Sequence, residues 1–408
     1  MPLRRPIPVL TAVALAAGLL ASPSAAVAAP DQELPFVCGQ EWTGTTRPNH
    51  RPSPLAIDFN RHQDMGRLVL ASATGVVSRV EDTGSASYGR WIKVDHPESY
   101  STIYAHLKVQ WVVPGQFVDQ GTPIGRVGAT GGVSGAHLHY EQLLGRTVVA
   151  AVFGQVPFVY GSKLASQNCS DVPLAGDWEG DRAHEVGVFR RNRGAGTFVM
   201  ASPDGSVTRV RLGRPGDLPL VGDWDGDGRT DLGVRRAGGR LFELRGTDGS
   251  LAEVRFGVIK DRPVTGDWNG DGRTDIGVWR PAVSRFRLLQ PDGTVRVVPL
   301  GSRGSQPVTG DWDGDGVTDV GVFDSATATF TLRTVTPAGQ VKLTSLPFGL
   351  PTDLPVTGDW NGDGITDVGA WTPSNATYTL RVTPSPAASR RTPSDPPEIR
   401  TLRFGRPR

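Results

Sequence analysis

The feature that most limits how this chain can fold is a short pattern, Gly-Asp-Trp-x-Gly-Asp, that recurs five times in its C-terminal half. The aspartates that open the five copies are Asp177, Asp223, Asp267, Asp311 and Asp359. Successive copies therefore stand 44 to 48 residues apart. Repeats of roughly 40 to 50 residues with several strand-like runs each are typical of β-propeller blades. In the third unit four such runs are visible, at residues 263–268, 275–280, 285–290 and 295–300. The sequence predicts a β-propeller of about five four-stranded blades over residues 172–408, with a solenoid or linear array as the alternative.

Four of the five repeats carry a loop whose acidic residues have the spacing of a calcium site. The loop reads Asp-x-[Asp/Asn]-Gly-Asp-Gly-x-x-Asp, and side-chain oxygens at its first, third, fifth and ninth positions can surround a hard cation. The EF-hand alternative fails because position twelve of the second unit is Val234 and not a glutamate. The predicted calcium ligands are Asp223, Asp225, Asp227, Asp231, Asp267, Asn269, Asp271, Asp275, Asp311, Asp313, Asp315, Asp319, Asp359, Asn361, Asp363 and Asp367. A metal-free Asp/Gly turn is the alternative.

The first repeat departs from this pattern. Glu179 stands at its third position, Arg182 replaces the turn glycine and Glu185 stands at the ninth position. We expect weak or absent calcium binding there. His184 lies in the same degraded loop, where it is expected to face solvent.

The first 29 residues have the pattern of a secretory signal peptide. Arg4 and Arg5 precede an apolar run at residues 7–20, and a small-x-small site, Ala26-Val27-Ala28, follows. The run is shorter than the roughly 20 residues that a membrane-spanning helix needs. We therefore expect a secreted, extracellular protein that does not span a membrane and is free or associated with the cell wall.

Export makes the two cysteines interpretable. Cys38 and Cys169 are too few for a cysteine metal cage, and outside the cytosol such a pair favours a disulfide over free thiols. The bond would join the two ends of a first domain at residues 30–171, whereas two unrelated buried thiols are the alternative. The 43 basic and 41 acidic residues leave a formal net charge of +2, which argues against nucleic-acid binding.

Six of the seven histidines fall within this first domain. His137 and His139 are two residues apart on a strand-like run, so their side chains point to the same face and can share a metal. His106 ends another run, Asp58 lies in Ala-Ile-Asp-Phe, and His50 precedes it in a proline-rich loop. A catalytic zinc needs three nitrogen or oxygen ligands and one open position, and the domain supplies enough of them.

The order of these motifs resembles the lysostaphin/LytM-type zinc metallopeptidases. The similarity covers residues 48–145 and rests on Tyr-Ala-His-Leu at residues 104–107 and Gly-x-His-Leu-His-Tyr-Glu at residues 135–141. It implies His50, Asp58 and His139 as zinc ligands, and His106 and His137 as the catalytic pair. It further implies a β-sheet peptidase domain that cleaves peptide bonds in peptidoglycan.

One departure from this family concerns the first ligand. The family commonly has three residues between its first histidine and the aspartate, but seven separate His50 from Asp58. His62 is the competing ligand, and a non-catalytic protein that binds the wall or activates another hydrolase is the alternative function.

The C-terminal units resemble FG-GAP/VCBS repeats of surface propellers. That resemblance implies calcium-stabilised blades and a cell-surface glycan or protein as ligand. Taken together, the sequence predicts an all-β chain with a LytM-type domain followed by a β-propeller.

Overall fold

The computed structural model describes residues 30–169, 171–192, 195–214, 216–383 and 396–406. Within these ranges the regular structure is almost entirely β-strand, and one 3-10 turn, Pro281–Val283, is the only helical element. The all-β prediction is therefore confirmed. No helix in the described part of the chain is both long and apolar enough to cross a membrane. The predicted signal peptide lies outside the described residues.

Fourteen short strands make up the region before residue 170. They are β1 Glu41–Thr45, β2 Ile57–Asn60, β3 Leu68–Leu70, β4 Gly75–Asp82, β5 Arg90–Asp95, β6 Tyr100–Ala105, β7 Leu107–Gln110, β8 Phe117–Val118, β9 Pro123–Val127, β10 Leu138–Leu144, β11 Thr147–Val149, β12 Val152–Phe153, β13 Val156–Pro157 and β14 Lys163–Ala165. The main sheet has the order β14-β1-β2-β10-β6-β5-β4-β8, with β11 also paired to β10. A smaller sheet, β3-β9-β7, and the hairpin β12-β13 complete this region.

The two faces of the main sheet have different roles because side chains alternate along each strand. Ile57 and Phe59 of β2 and Leu138 and Tyr140 of β10 point into one hydrophobic core with residues of the smaller sheet. The residues between them, including Asp58 and His139, therefore point to the opposite face. This alternation determines which side of the sheet can carry a site.

A disulfide between Cys38 and Cys169 joins the two ends of the first region across 131 residues. In the chain-entropy account, closing so long a loop stabilises the folded state by about 4–5 kcal/mol. The covalent link lies at the point where the five repeats begin.

The rest of the described chain forms five antiparallel four-stranded sheets, here called repeat sheets one to five. Repeat sheet one contains β15 Asp171–Gly176, β16 Glu185–Asn192, β17 Ala195–Ala201 and β18 Val207–Arg211, and repeat sheet two contains β19 Leu218–Gly222, β20 Asp231–Arg235, β21 Leu241–Arg245 and β22 Leu251–Arg255. Repeat sheet three contains β23 Arg262–Gly266, β24 Asp275–Arg280, β25 Arg285–Leu289 and β26 Val295–Pro299, and repeat sheet four contains β27 Gln306–Gly310, β28 Asp319–Asp324, β29 Thr329–Val335 and β30 Val341–Pro347. Repeat sheet five contains β31 Leu354–Gly358, β32 Asp367–Thr372, β33 Thr377–Val382 and β34 Glu398–Arg403.

Neighbouring repeat sheets are joined by a recurring pair of hydrogen bonds. Asp177 accepts a bond from the backbone N–H of Thr230 at 2.7 Å, and its own N–H donates to Thr230 Oγ1 at 2.8 Å. The same pair of bonds is repeated three times, in Asp223–Thr274, Asp267–Thr318 and Asp311–Thr366. Each Gly-Asp-Trp therefore anchors its unit to the next one.

Repeat sheet five contacts repeat sheet one. Strand β31 touches β15, and Val186 and Val188 of the first sheet share a hydrophobic cluster with Trp371 and Tyr378 of the fifth. The Tyr378 hydroxyl donates a hydrogen bond to the carbonyl of Gly187 at 2.5 Å.

His184 lies at this junction between the last and first sheets. Its N–H donates to the carbonyl of Asp359 at 2.7 Å, so it takes the place that threonine has in the other units. The expectation that His184 faces solvent is wrong: the residue is half-buried, and burial lowers the pKa of its ring. The sequence pattern gave no sign of this because the contact joins two ends of the repeat array.

Candidate metal centre

The site begins with two neighbouring strands. Asp58 of β2 and His139 of β10 are directly opposed in an antiparallel pair, on the face turned away from the main core. Asp58 Oδ1 lies 3.1 Å from His139 Nδ1. Because apolar and polar side chains alternate along both strands, Asp58 and His139 point to the same face of the sheet and lie next to each other there.

His50 reaches the same point from the proline-rich loop before β2. Its Nε2 lies 3.0 Å from Asp58 Oδ1 and 3.1 Å from His139 Nδ1, and the residue is buried. Thr46 Oγ1 donates to the carbonyl of Pro54 at 2.7 Å, which folds the loop back on itself. The seven intervening residues therefore do not keep His50 from Asp58. His62 is exposed and is not part of this group.

Hydrogen bonds at the outer ring nitrogens fix which atoms face the centre. His50 Nδ1 lies 3.2 Å from the carbonyl oxygen of Ala56, and His139 Nε2 lies 2.8 Å from Glu141 Oε1. Both partners accept, so these nitrogens carry the protons in the neutral rings. His50 Nε2, His139 Nδ1 and Asp58 Oδ1 then present three lone pairs to one another. Such an arrangement is stabilised by positive charge between the three atoms, which a metal cation can supply.

The donor set and its spacing fit zinc. Zinc takes imidazole nitrogens and carboxylate oxygens at about 2.0–2.1 Å, so two ligand atoms of a tetrahedral site are about 3.3 Å apart. The three atoms are separated by 3.0 to 3.1 Å. These three atoms would therefore hold a zinc ion as three of its ligands.

The pKa shifts of His139 and Asp58 in the absence of a metal also favour a bound cation. Burial lowers the pKa of His139, but the hydrogen bonds to Asp58 and Glu141 outweigh it and raise the pKa overall. Burial likewise favours the neutral form of Asp58, yet its bonds to His139 and His50 hold its pKa below the usual range. Both shifts favour positive charge next to Asp58, which is the position a metal cation would occupy.

Glu141 and Tyr88 form a hydrogen-bond chain to the ring nitrogen of His139 that faces away from Asp58. Glu141 is buried, and the Tyr88 hydroxyl donates to its Oε1 at 2.5 Å. Burial and the bond to this carboxylate raise the pKa of Tyr88, so the phenol stays protonated and acts only as a donor. This chain fixes the orientation of the His139 ring, as partners of metal-binding histidines commonly do.

His106 and His137 lie beside the cluster. Their ring centroids are 4.8 Å apart, and His137 Nε2 lies 3.6 Å from Asp58 Oδ1. His137 forms an isolated bridge with Gly128 just before β10, and His106 follows β6 with a left-handed backbone, φ 63°. The structure thus brings together all five residues that the sequence singled out.

The Thr130 carbonyl determines the proton position on His106. It accepts a hydrogen bond from Nδ1 at 2.9 Å, which leaves Nε2 without a proton in the neutral ring. Burial, and the repulsion that protonated His106 would meet from the neighbouring His137 ring, lower the pKa of His106 to about 4. The ring is therefore neutral at pH 7, with an unprotonated Nε2 that is available as an acceptor.

Close backbone packing holds the Thr130 loop in place. Gly131 has φ 84°, and a Cβ there would lie 2.4 Å from the backbone nitrogen of Gly89. Glycine is required at this position because a side chain would be strained and would clash. The sequence contained the Tyr88-Gly89 pair, but nothing in it connected that pair to Thr130 or Glu141.

The acidic loops of the repeats share one backbone arrangement. Asp223 Oδ1 accepts a hydrogen bond from Gly226 N at 2.6 Å, and its Oδ2 accepts one from Gly228 N at 2.9 Å. The degraded first loop keeps this geometry, because Arg182 N donates to Asp177 Oδ2 at 2.8 Å. The turn therefore forms without depending on an intact set of carboxylates.

Carboxylates converge in two of these loops. Oxygens of Asp223, Asp225 and Asp227 lie within 4.8 Å of one another, as do those of the fourth unit, Asp311, Asp313 and Asp315. In the third and fifth units an asparagine amide instead donates to the fifth-position aspartate, at 2.8 and 3.0 Å.

The ninth-position aspartates lie partly buried behind their loops. Asp231 Oδ2 accepts a hydrogen bond from Trp224 N at 2.9 Å. Burial and neighbouring carboxylates raise the pKa of Asp231 to about 6 and that of Asp319 to about 7. Nearby negative charge is thus a common property of these loops.

Comparison with known proteins finds a family match for part of the chain. Residues 55–151 match the model of peptidase family M23, a range that includes Asp58, His106, His137 and His139 and begins after His50. An uncharacterized metalloprotease of Haemophilus influenzae is 37% identical over 107 residues, which are 26% of this chain and 21% of that protein. The peptidoglycan DD-endopeptidase ShyC of Vibrio cholerae is 38% identical over 80 residues, 20% of this chain and 18% of its own.

A solved structure gives a similar match. A zinc-containing peptidase from Vibrio cholerae aligns over 32% of this chain and 41% of its own, with 25% identity and a TM-score of 0.26. The chain spans only about a fifth of the length of the two sequence relatives, 21% and 18%. It carries a peptidase M23 domain with homologues among peptidoglycan endopeptidases.

Proposed function

We propose that residues 30–171 are a zinc metalloendopeptidase that hydrolyses peptide bonds in bacterial peptidoglycan. The observation that carries this proposal is the convergence of three lone pairs, on His50, Asp58 and His139, within 3.0 to 3.1 Å. Membership of the matched segment in family M23, and the name of the related endopeptidase, support the substrate class.

The chain's own residues supply the proton transfers. A zinc ion held by His50, Asp58 and His139 would act as a Lewis acid, lowering the pKa of water and polarising a carbonyl group. Neutral His106 takes a proton from the attacking water at Nε2. His137, in its protonated form, donates to the developing oxyanion or to the leaving amine.

Digestion of purified peptidoglycan tests this function directly. The full chain should bind one zinc per molecule and release new amino and carboxyl termini from wall peptides, identified by mass spectrometry. A chelator should stop the reaction and added zinc should restore it. If zinc is bound but no peptide bond is cleaved, the chain is instead the non-catalytic wall-binding or hydrolase-activating protein.

We also propose that residues 172–408 form a five-bladed propeller. The contact between repeat sheets five and one supports it, because a solenoid or linear array would leave those sheets apart. The propeller would dock the secreted enzyme on a cell-surface glycan or protein. Calcium in the second and fourth loops fits their convergent carboxylates and the raised pKa of Asp231 and Asp319. The shared residue pattern extends the proposal to the third and fifth loops.

Calcium should therefore stabilise the propeller. At a concentration one hundred times its Kd, one bound ion adds about 2.7 kcal/mol to the free energy of unfolding. We expect calcium to raise the unfolding temperature, and Asp227→Asn together with Asp315→Asn to remove the part of that increase that the second and fourth loops supply. Asp204→Asn, in an exposed turn outside the loops, is the matched control. Equal stabilisation of all variants would contradict the calcium assignment.

A further inference from the structure

A cavity of about 310 Å³ lies where the first region meets the five repeat sheets. Trp111, Asp119 and Pro123 line it on one side. On the other side it is lined by one proline from the first strand of each repeat sheet, Pro173, Pro219, Pro263, Pro307 and Pro355. The cavity therefore lies at the shared end of the five first strands, under the cover of the M23 domain.

Tight packing around the cavity fixes its walls. A Cβ on Gly238 would lie 2.1 Å from the Trp111 ring, so the indole rests directly on the glycine backbone. Phe117 is buried in the hydrophobic cluster shared by repeat sheets one and five. These two aromatic side chains pack the M23 domain against the repeat sheets. The walls of the cavity are therefore held in place by that packing.

The cavity walls carry an excess of positive charge. Five cationic side chains line it, against two carboxylates, Asp119 and Asp261. The five are Arg191, Arg235, Arg236, Lys260 and Arg262. Asp261 already forms a two-pronged ion pair with Arg280, and Asp119 lies 3.8 Å from Arg262. Arg236 is paired with Asp217 and Glu243. Arg235, Lys260 and Arg262 therefore face the cavity with Asp119 as the one lining carboxylate not already held by an arginine outside the lining.

Arg235 is the most informative of these residues. Its side chain is 2% exposed, and its two terminal nitrogens donate to the carbonyls of Asp261 and Val258. Its Nε has no hydrogen-bond partner among the described residues, and no carboxylate there forms an ion pair with it. Asp261 acts on Arg235 electrostatically, but its carboxylate is already ion-paired with Arg280. A buried guanidinium without a carboxylate of its own is costly. Burial lowers its pKa to about 10, so it remains charged at neutral pH.

We propose that this cavity binds a small oxyanion, a carboxylate or a phosphate, between Arg235 and Arg262. The ligand would supply the negative charge that the walls lack, and guanidinium groups suit both kinds of oxyanion. The site is separate from the metal centre, so this proposal does not depend on peptidase activity.

Calorimetric titration of the full chain in chloride buffer tests the proposal, with citrate and inorganic phosphate as probes and glycerol as the neutral control. We expect saturable binding of one citrate or one phosphate per chain and none of glycerol. Citrate and phosphate are titrated separately, so the stronger one identifies the preferred oxyanion.

Substitutions locate the binding. Arg262→Gln and Lys260→Gln should each weaken it at least tenfold, while Arg285→Gln, at an exposed arginine outside the cavity, should not change it. Arg235 itself is left unchanged, because its replacement can unfold the chain. Thermal unfolding measured without anion verifies that each variant is folded. Absence of binding for both anions, or binding that Arg262→Gln leaves unchanged, would overturn the proposal.

Discussion

Replacing His139 by alanine should remove both the bound zinc and the peptidase activity. The ring supplies one of three converging ligand atoms, with Nδ1 3.1 Å from both Asp58 Oδ1 and His50 Nε2. With two ligands left, zinc content should fall from one per chain to near zero. Turnover should fall by more than the roughly 10²–10⁴-fold that a single general base supplies. Metal analysis and peptidoglycan digestion measure the two effects.

One control variant and one stability measurement make this result interpretable. His62→Ala removes an exposed histidine outside the cluster, so zinc and turnover should both remain. His139→Ala also leaves the buried Glu141 without its histidine partner, which costs about 1–3 kcal/mol. Thermal unfolding must therefore show that the variant is folded at the assay temperature. A folded His139→Ala chain that still binds one zinc would contradict the ligand assignment.

Part of this site was accessible from the sequence because it follows from strand alternation. His137 and His139 share a face by their spacing alone, and Asp58 sits between two apolar residues on its own strand. His50 is different, since its position depends on a loop folded by the bond between Thr46 and Pro54. Such a loop conformation is set by three-dimensional contacts, and sequence spacing alone argued against it.

The repeat units were predictable for a similar reason. Each one contains its own strands and its own turn, so a single period of sequence determines the local structure. Contacts between distant segments were not predictable. The bond from His184 to Asp359 joins the two ends of the repeat array, and the packing of Trp111 on Gly238 connects residues with no shared motif. The cavity and its positive charge arise only from that assembly.

His106 should behave differently from His139 when it is replaced. Its ring does not belong to the group of three converging atoms, so His106→Ala should retain one zinc per chain. Turnover should nevertheless fall by about 10²–10⁴-fold, because the proton acceptor is lost. The Thr130 carbonyl, 2.9 Å from Nδ1, holds the ring with Nε2 free to accept that proton. Zinc content and turnover, measured on the same preparation, separate the two roles.

The backbone at His106 requires a second variant. Its φ of 63° is left-handed, a conformation that asparagine tolerates better than alanine. His106→Asn keeps this conformation but cannot accept the proton as imidazole does, so its turnover should fall as far as that of His106→Ala. If asparagine restored turnover, the backbone and not proton transfer would explain the loss. If either variant lost its zinc, His106 would be a ligand, and the division between metal-binding and proton-transferring histidines would be wrong.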